Sequence, residues 1–159
     1  MTRTIAPAPV KKSLTVNAPP AAAFEVFTAG MTRWWPNSHT ILKAPFKEAV
    51  IEPFAGGRWF HRGSDGSEST IGPVIAWEPP SRIVLGWQLN GAFEFDPDVV
   101  TEVEVRFTPE GANATRVDLE HRHLERFAKT GEQLRAAVDG GNGWSALLEA
   151  YRQFASARP

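Results

Sequence analysis

The sequence has the length and composition of one globular domain. Its 159 residues are 42% hydrophobic and 22% charged, values that exclude a disordered or collagen-like chain. The formal net charge of -1 argues against nucleic-acid binding, and the absence of cysteine excludes disulfides and thiolate chemistry. No apolar run approaches the roughly 18 residues of a membrane span, and the N-terminal segment lacks the apolar core of a secretory signal. We therefore expect a cytoplasmic protein.

The first third of the chain predicts one strand followed by two short helices. Val10–Val16 has strand character and is followed by turn residues. Ala21–Phe27 is predicted as a helix, with Pro20 suited to its first turn. A second helical turn is expected over Met31–Trp35, closed by Pro36.

From residue 44 onward the hydrophobic period becomes alternating, which predicts a run of antiparallel strands. Gly- and Pro-containing turns separate them, and the Asp65-Gly66 step is a strong hairpin signal because both residues tolerate positive φ. The predicted strands are Lys47–Glu52, Arg58–Arg62, Glu68–Glu78, Arg82–Gln88, Thr101–Thr108 and Thr115–Arg122.

The last two strands and the C-terminal segment predict a sheet covered on one face. Apolar residues alternate with mixed charges along both strands, so one face should be buried and the other should carry cross-strand ion pairs. The C-terminal segment follows helical spacing, with Asn142 as its expected N-cap. Its apolar stripe consists of Trp144, Leu147, Leu148, Tyr151 and Phe154. Together these elements predict a single α+β domain over residues 1–159, with its core at about 10–156, in which a curved sheet wraps the last helix.

Four segments of the sequence resemble a bacterial family related to the C-terminal domain of the activator of the heat-shock-protein-90 ATPase. They are Gly56–Phe60, Ala76–Pro80 with Arg82 and Trp87-Gln88, Thr101–Val103 with Phe107–Pro109, and Gly143-Trp144 with Leu147-Leu148. The resemblance implies the helix-grip fold of the START-like superfamily (SRPBCC proteins). That superfamily includes ligand carriers, polyketide cyclases and chaperone regulators, so the fold does not by itself define an activity.

Aromatic residues favour a ligand cavity between the sheet and the last helix. The chain has six Trp and ten Phe but one Tyr. A dry void of about 300 Å³ would cost on the order of 7 kcal/mol, so a real void should be filled by ligand, water or side chains. The alternative is that the same aromatics fill a solid core. The predicted ligand-binding residues are Trp34, Trp59, Trp77, Trp87, Phe93, Phe95, Phe107, His121, Leu148 and Tyr151.

Two histidines are the candidate catalytic residues. His121 shares the apolar face of its strand and could carry a proton near neutral pH, or could be a histidine near the end of the sheet satisfied by a backbone carbonyl or water, which is the favoured alternative. His61 has the same two interpretations, and its place near a hairpin tip favours exposure. His121 and His123 lie at the spacing of paired metal ligands, but no carboxylate completes a site. We therefore expect neither metal nor cofactor.

Three functions remain open from the sequence. The first is binding of a hydrophobic small molecule without catalysis, the second is regulation of a chaperone ATPase by protein contact, and the third is a cyclase-like enzyme. Adjacent Trp34 and Trp35 cannot share one helix face, so one is expected to cap the core or the cavity mouth; the other is either a partly exposed gate or contact surface, or part of a hydrophobic plug, and the plug is favoured. Related domains often dimerise, and a homodimer is a further expectation.

Overall fold

The computed structural model describes residues 8–141 and 143–156. The predicted N-cap Asn142 lies outside these residues. Within them, seven strands form one curled antiparallel sheet in the order β1-β7-β6-β5-β4-β3-β2. The strands are β1 Val10–Val16, β2 Phe46–Ile51, β3 Arg58–Gly63, β4 Glu68–Glu78, β5 Arg82–Trp87, β6 Thr101–Pro109 and β7 Thr115–Arg122. The predicted strands are confirmed, with ends that differ by one residue.

Helices lie before and after the run of strands β2 to β7. They are α1 Pro20–Phe27, α2 Met31–Trp34, a 3-10 segment Leu124–Thr130, α3 Gly131–Asp139 and α4 Trp144–Ser156. The sequence predicted α1, α2 and α4 but neither the 3-10 segment nor α3. In the described part of the chain, no helix is long and apolar enough to cross a membrane.

Helix α4 packs against β1, α1 and α2 on the concave side of the sheet, which confirms the predicted helix-grip fold. Trp144, Leu147, Leu148 and Tyr151 are buried, as the helical spacing predicts, whereas Phe154 is half-buried. The alternation along β7 also holds, since Val117, Leu119 and His121 are buried. Burial of this apolar stripe against the sheet supplies the main stabilisation of the fold.

The sheet bends within β4, and this bend shapes the concave side. Gly72 of β4 lies so close to Gly86 of β5 that a Cβ on Gly72 would be 2.0 Å from the Gly86 carbonyl oxygen. Pro73 follows at once, and the β4–β5 register shifts between Val74 and Ala76. Only glycine permits the two strands to approach this closely. The position of Gly72 opposite Gly86 therefore sets where the sheet bends.

One half of the concave side is filled by interlocking aromatic rings. The ring pairs are Phe24–Trp77 at 5.1 Å, Phe24–Phe107 at 5.2 Å, Phe27–Tyr151 at 5.2 Å and Trp34–Tyr151 at 5.4 Å between centroids. The Tyr151 hydroxyl donates to the Ala23 carbonyl at 2.7 Å, and burial raises the pKa of this phenol. This half is a solid core, and Tyr151 is not placed for acid–base chemistry.

The convex face of the sheet carries the cross-strand ion pairs expected from the sequence. Arg122 donates to Glu102 at 2.9 Å across the β6–β7 ladder. Glu104 is buried on this face and accepts from Arg82, Arg106 and Arg122. Its burial alone would raise the pKa of the carboxyl, but the three guanidinium groups outweigh burial and hold it at about 2. The charges of this face are therefore paired with one another.

Candidate functional site

The other half of the concave side contains a cavity of about 540 Å³. It lies between β3, β4 and β5 on one side and α3 and α4 on the other, with the segment after α2 along one edge. Its lining residues are Trp35, Ser38, His39, Thr40, Ile41, His61, Ile71, Trp87, Leu89, Phe93, Ala137, Val138, Gly143, Trp144 and Leu147. The volume is within the usual range for a pocket that holds a small molecule.

Three indole rings form walls of this cavity. Trp87 and Trp144 lie 5.8 Å apart, and Trp35 and Trp144 lie 6.4 Å apart, between ring centroids. Each indole N–H is engaged elsewhere: Trp35 donates to the His39 carbonyl, Trp87 to the Leu89 carbonyl and Trp144 to His121 Nδ1. The tryptophans therefore offer the cavity aromatic carbon surface and no hydrogen-bond donor of their own.

His61 is the buried polar side chain of the lining. It is 2% exposed, and the rings of Trp35 and Phe46 contact it edge-on at 5.5 Å and 5.1 Å. Nδ1 lies 2.9 Å from Thr40 Oγ1, whereas Nε2 has no hydrogen-bond partner. Burial lowers the pKa of His61 to about 4, so the ring is neutral near pH 7. The expected exposure of His61 is wrong because β2 pairs with β3 and Phe46 covers the ring.

A tight hairpin beyond β5 places Phe93 at the cavity. Asn90 Oδ1 accepts from the backbone N–H of Ala92 at 2.9 Å and of Glu94 at 3.1 Å. Phe93 has a positive φ of 59° and is 42% exposed, although it also lines the cavity. A non-glycine residue in this backbone region is strained, and such strain is often found at ligand sites.

The junction of α3 and α4 closes the far side of the cavity. A Cβ on Gly143 would lie 2.1 Å from the Val138 carbonyl oxygen, so only glycine allows α4 to begin this close to the end of α3. Ala137, Val138 and Gly143 then present small surfaces to the cavity. Space remains here because these residues are small, in contrast to the aromatics of the filled half.

His121 lies behind the Trp87 and Trp144 walls rather than in the cavity lining. Its Nδ1 accepts from Trp144 Nε1 at 3.1 Å, so the ring proton of the neutral imidazole is on Nε2. Nε2 then donates to Thr101 Oγ1 at 2.9 Å, and Thr101 donates to the Trp87 carbonyl. Complete burial lowers the pKa of His121 to about 3. Both ring nitrogens are therefore engaged by side chains, the Trp144 indole and the Thr101 hydroxyl, where the sequence suggested a backbone carbonyl or water.

The structure divides the predicted ligand-binding residues into three groups. Trp87 and Phe93 line the cavity, together with the catalytic candidate His61. Trp59 and His121 are buried behind its walls, since Trp59 packs against Trp35 and Trp87 at 5.9 Å. The remaining predicted residues lie outside the lining, either in the core or, for Phe95, 41% exposed on the hairpin; they are Trp34, Trp77, Phe95, Phe107, Leu148 and Tyr151.

Sequence reasoning missed several lining residues. Trp35 rather than Trp34 lines the cavity. Helix α2 ends at Trp34 and Trp35 has extended backbone, but the two rings remain in contact, with centroids 5.7 Å apart. Both rings are at most 5% exposed, which fits the hydrophobic plug and not an exposed contact surface. Trp144 and Leu147 were identified as core residues of α4, and their position at the N-terminal end of that helix was the available signal. Ala137 and Val138 belong to the unpredicted α3.

The chemistry of the lining suits a neutral guest. Among the described residues, no Lys, Arg, Asp or Glu lines the cavity. Residues 8–141 and 143–156 also contain no cluster of three or more potential metal-ligating side chains. The polar groups of the lining are Ser38, His39, Thr40 and His61, all near one edge.

The comparison with protein families identifies the chain. Residues 17–155 match the family model described as activator of Hsp90 ATPase homolog 1-like protein, or AHSA1. The chain belongs to the AHSA1 family. The match spans every element from α1 to α4, so the cavity of this AHSA1 protein lies within the family domain. No curated protein sequence matches the chain.

Solved structures similar to this AHSA1 protein include two with more than 30% identity. An anthrahydroquino-γ-pyrone synthase, Txn09, is 35% identical, covers 96% of this chain and 99% of its own, and superposes with a TM-score of 0.65. The self-sacrificing resistance protein CalC from Micromonospora echinospora is 32% identical, covers 95% and 97%, and has a TM-score of 0.70. An HSP90 activator from Plasmodium falciparum is 21% identical over 72% of this chain and 71% of its own, with a TM-score of 0.51, and shares the fold.

Proposed function

We propose that this AHSA1 protein binds a flat, neutral, polycyclic aromatic molecule in the cavity between the sheet and α4. The observation that carries the proposal is the lining, in which Trp35, Trp87 and Trp144 surround about 540 Å³ beside one buried imidazole. Indole walls favour aromatic guests through offset or edge contacts. The lining has no charged side chain among the described residues, so a charged group would lose its hydration without compensation.

The relatives support an aromatic, oxygen-bearing ligand class. The synthase that is 35% identical acts in the formation of an anthrahydroquino-γ-pyrone, according to its name, and covers 96% of this chain. Such a molecule is flat, polycyclic and oxygenated. Phe93, exposed at the edge of the cavity, would lose water contact when a guest of this shape enters.

The experiment uses quinizarin, a dihydroxyanthraquinone that is neutral near pH 7, as a probe, together with a variant that fills the cavity. Ala137 lines the cavity, whereas its neighbour Ala136 is exposed on the same helix and is absent from the lining. We expect Ala137→Phe to weaken quinizarin binding at least tenfold by calorimetry, and Ala136→Phe to leave it within about twofold. Equal effects of the two variants, or failure of the wild type to bind quinizarin or another neutral polycyclic quinone, would contradict the proposal.

A second candidate function is a cyclase-like reaction in the same cavity, favoured by the likeness to a named synthase. His61 is the candidate proton carrier, because it lines the cavity and Nε2 is unengaged. His121 is fully engaged behind the walls, and Tyr151 is in the solid core. With a turnover assay in hand, His61→Phe should abolish activity while the apolar ring system of the ligand still binds to the indole walls. Full activity in that variant would reject the assignment.

Regulation of a chaperone ATPase stays a prediction drawn from the family description. It requires a docking surface, and the charges of the convex face are already paired around Glu104. Purified Hsp90 offers the test: a change in its ATPase rate on addition of this protein, unaffected by Ala137→Phe, would favour surface contact over ligand binding.

A further inference from the structure

His61 Nε2 is one of two buried polar side-chain atoms that lack a hydrogen-bond partner in the described ranges; the other is Trp59 Nε1. Buried polar groups in native proteins are nearly always satisfied, so each exception points to a missing partner. The two differ in position, because His61 lines the cavity whereas Trp59 lies behind Trp35 and Trp87. A guest in the cavity would therefore contact the imidazole and not the Trp59 indole.

The hydrogen bonds around Thr40 favour one position for the proton of the neutral His61 ring. Thr40 Oγ1 accepts from the backbone N–H of Leu42 at 3.3 Å, which leaves its own hydroxyl proton to donate. The group 2.9 Å from that hydroxyl is His61 Nδ1. With Nδ1 as acceptor, the neutral imidazole carries its proton on Nε2, and Nε2 is a donor.

The ring is also held in one orientation. Trp35 and Phe46 contact it edge-on from two sides, and Thr40 holds Nδ1. A rigid, buried donor discriminates between guests, because a guest without an acceptor leaves it unpaired. Among the residues that the structure describes, no Lys or Arg lines the cavity to pair with an anion, so the site favours an uncharged acceptor.

We propose that His61 Nε2–H is the specificity-determining donor of the cavity and binds a neutral carbonyl oxygen of the aromatic ligand. The inference rests on the proposed ligand-binding function and narrows its ligand class to aromatic ketones and quinones. The indole walls bind the ring system, and His61 selects the oxygen.

The test compares fluorenone with fluorene, two flat tricyclic molecules that differ by one carbonyl oxygen. We expect the wild type to bind fluorenone roughly five- to tenfold more tightly than fluorene, the ratio of one neutral hydrogen bond. His61→Phe keeps a ring at this position and should bring the ratio close to one, with fluorene affinity nearly unchanged. Trp59→Phe removes the other unpartnered donor and should preserve the preference.

The outcomes separate this inference from the function on which it rests. Equal binding of both probes by the wild type overturns the role of His61 alone. A preference lost in Trp59→Phe but kept in His61→Phe overturns it as well. If the wild type binds neither of these probes nor quinizarin, the ligand-binding function is overturned, and the role of His61 with it.

A ligand-independent measurement tests the tautomer. Long-range proton–nitrogen NMR on protein with labelled histidine should show His61 neutral near pH 7 with the proton on Nε2, its signal assigned by its loss in His61→Phe. A proton on Nδ1 would make Nε2 an acceptor and overturn the assignment.

Discussion

The two buried histidines of this protein face the same side of the sheet but differ in their partners. His121 on β7 accepts from Trp144 and donates to Thr101, so both ring nitrogens are engaged. His61 on β3 has one nitrogen on Thr40 and one without a partner, beside the cavity. The pair shows that burial of a histidine on a strand's inner face does not distinguish a structural role from a binding role. The hydrogen-bond partner of the second ring nitrogen is what distinguishes the two roles.

The largest effect we expect is the acid sensitivity that both histidines confer. An unfolded histidine takes up its proton near 6.5, whereas burial lowers the pKa of His61 to about 4 and of His121 to about 3. The unfolded chain is therefore protonated first as the pH falls. The contribution of each histidine to the free energy of unfolding is therefore complete above about pH 6.5. Below that pH the contribution decreases by about 1.4 kcal/mol per pH unit for each histidine.

Urea unfolding at a series of pH values measures this slope. His61→Phe and His121→Phe should each remove about half of it between roughly pH 6 and 4.5. Glu104 acts in a lower range, because its pKa is about 2 in the folded protein and its ordinary value is 4.5. Its contribution is present above 4.5 and is lost as the pH falls toward 2. An unchanged slope in either histidine variant would contradict the assigned neutral state.

Replacement of His121, which has both ring nitrogens hydrogen-bonded, should cost more stability than replacement of His61, which has one. His121→Phe leaves the buried Trp144 N–H without an acceptor, and we expect a loss of roughly 2–4 kcal/mol near pH 7. Adding Trp144→Phe removes the stranded donor, so the double variant should lose less than the sum of the two single variants. Additive losses, measured by urea unfolding, would mean that the Trp144–His121 bond contributes little.

Glu104 extends the comparison to the convex face, where a buried group is also fully engaged. Glu104→Gln removes the anion that three arginines contact, and we expect a loss of roughly 1–3 kcal/mol near pH 7. Glu120 lies directly opposite Glu104 in the β6–β7 register and is less buried, so Glu120→Gln is the matched control. Similar unfolding midpoints for the two variants would argue against an important role for the cluster.

The smallest stability effect should come from His61→Phe. The change breaks the bond to Thr40 but also removes the unpartnered donor, and these two effects oppose each other. We expect the free energy of unfolding near pH 7 to change by less than about 1 kcal/mol. A loss as large as that of His121→Phe would show that His61 is a structural residue, and the contrast between the two histidines would fail.

Much of the fold could be predicted because its signals are local. Alternating residues along β6 and β7 gave the buried face, and the spacing of Trp144 to Tyr151 gave α4. Helix α3 was missed because its apolar pattern is weak: Leu134 and Val138 are its buried side chains beyond Gly131. That omission also hid one wall of the cavity.

The sequence by itself determined the strands, the helix that they grip and the surplus of aromatic residues. Only the tertiary structure decided which aromatic side chains fill the solid core and which form the walls of the cavity. Phe107 and Tyr151 meet large rings in the filled half, whereas Trp87 and Trp144 face the small residues of the α3–α4 junction. The tertiary structure also decided the different roles of His61 and His121, because their hydrogen-bond partners come from residues distant in the chain. Periodicity assigns a side chain to a face, but a cavity depends on what lies opposite that face.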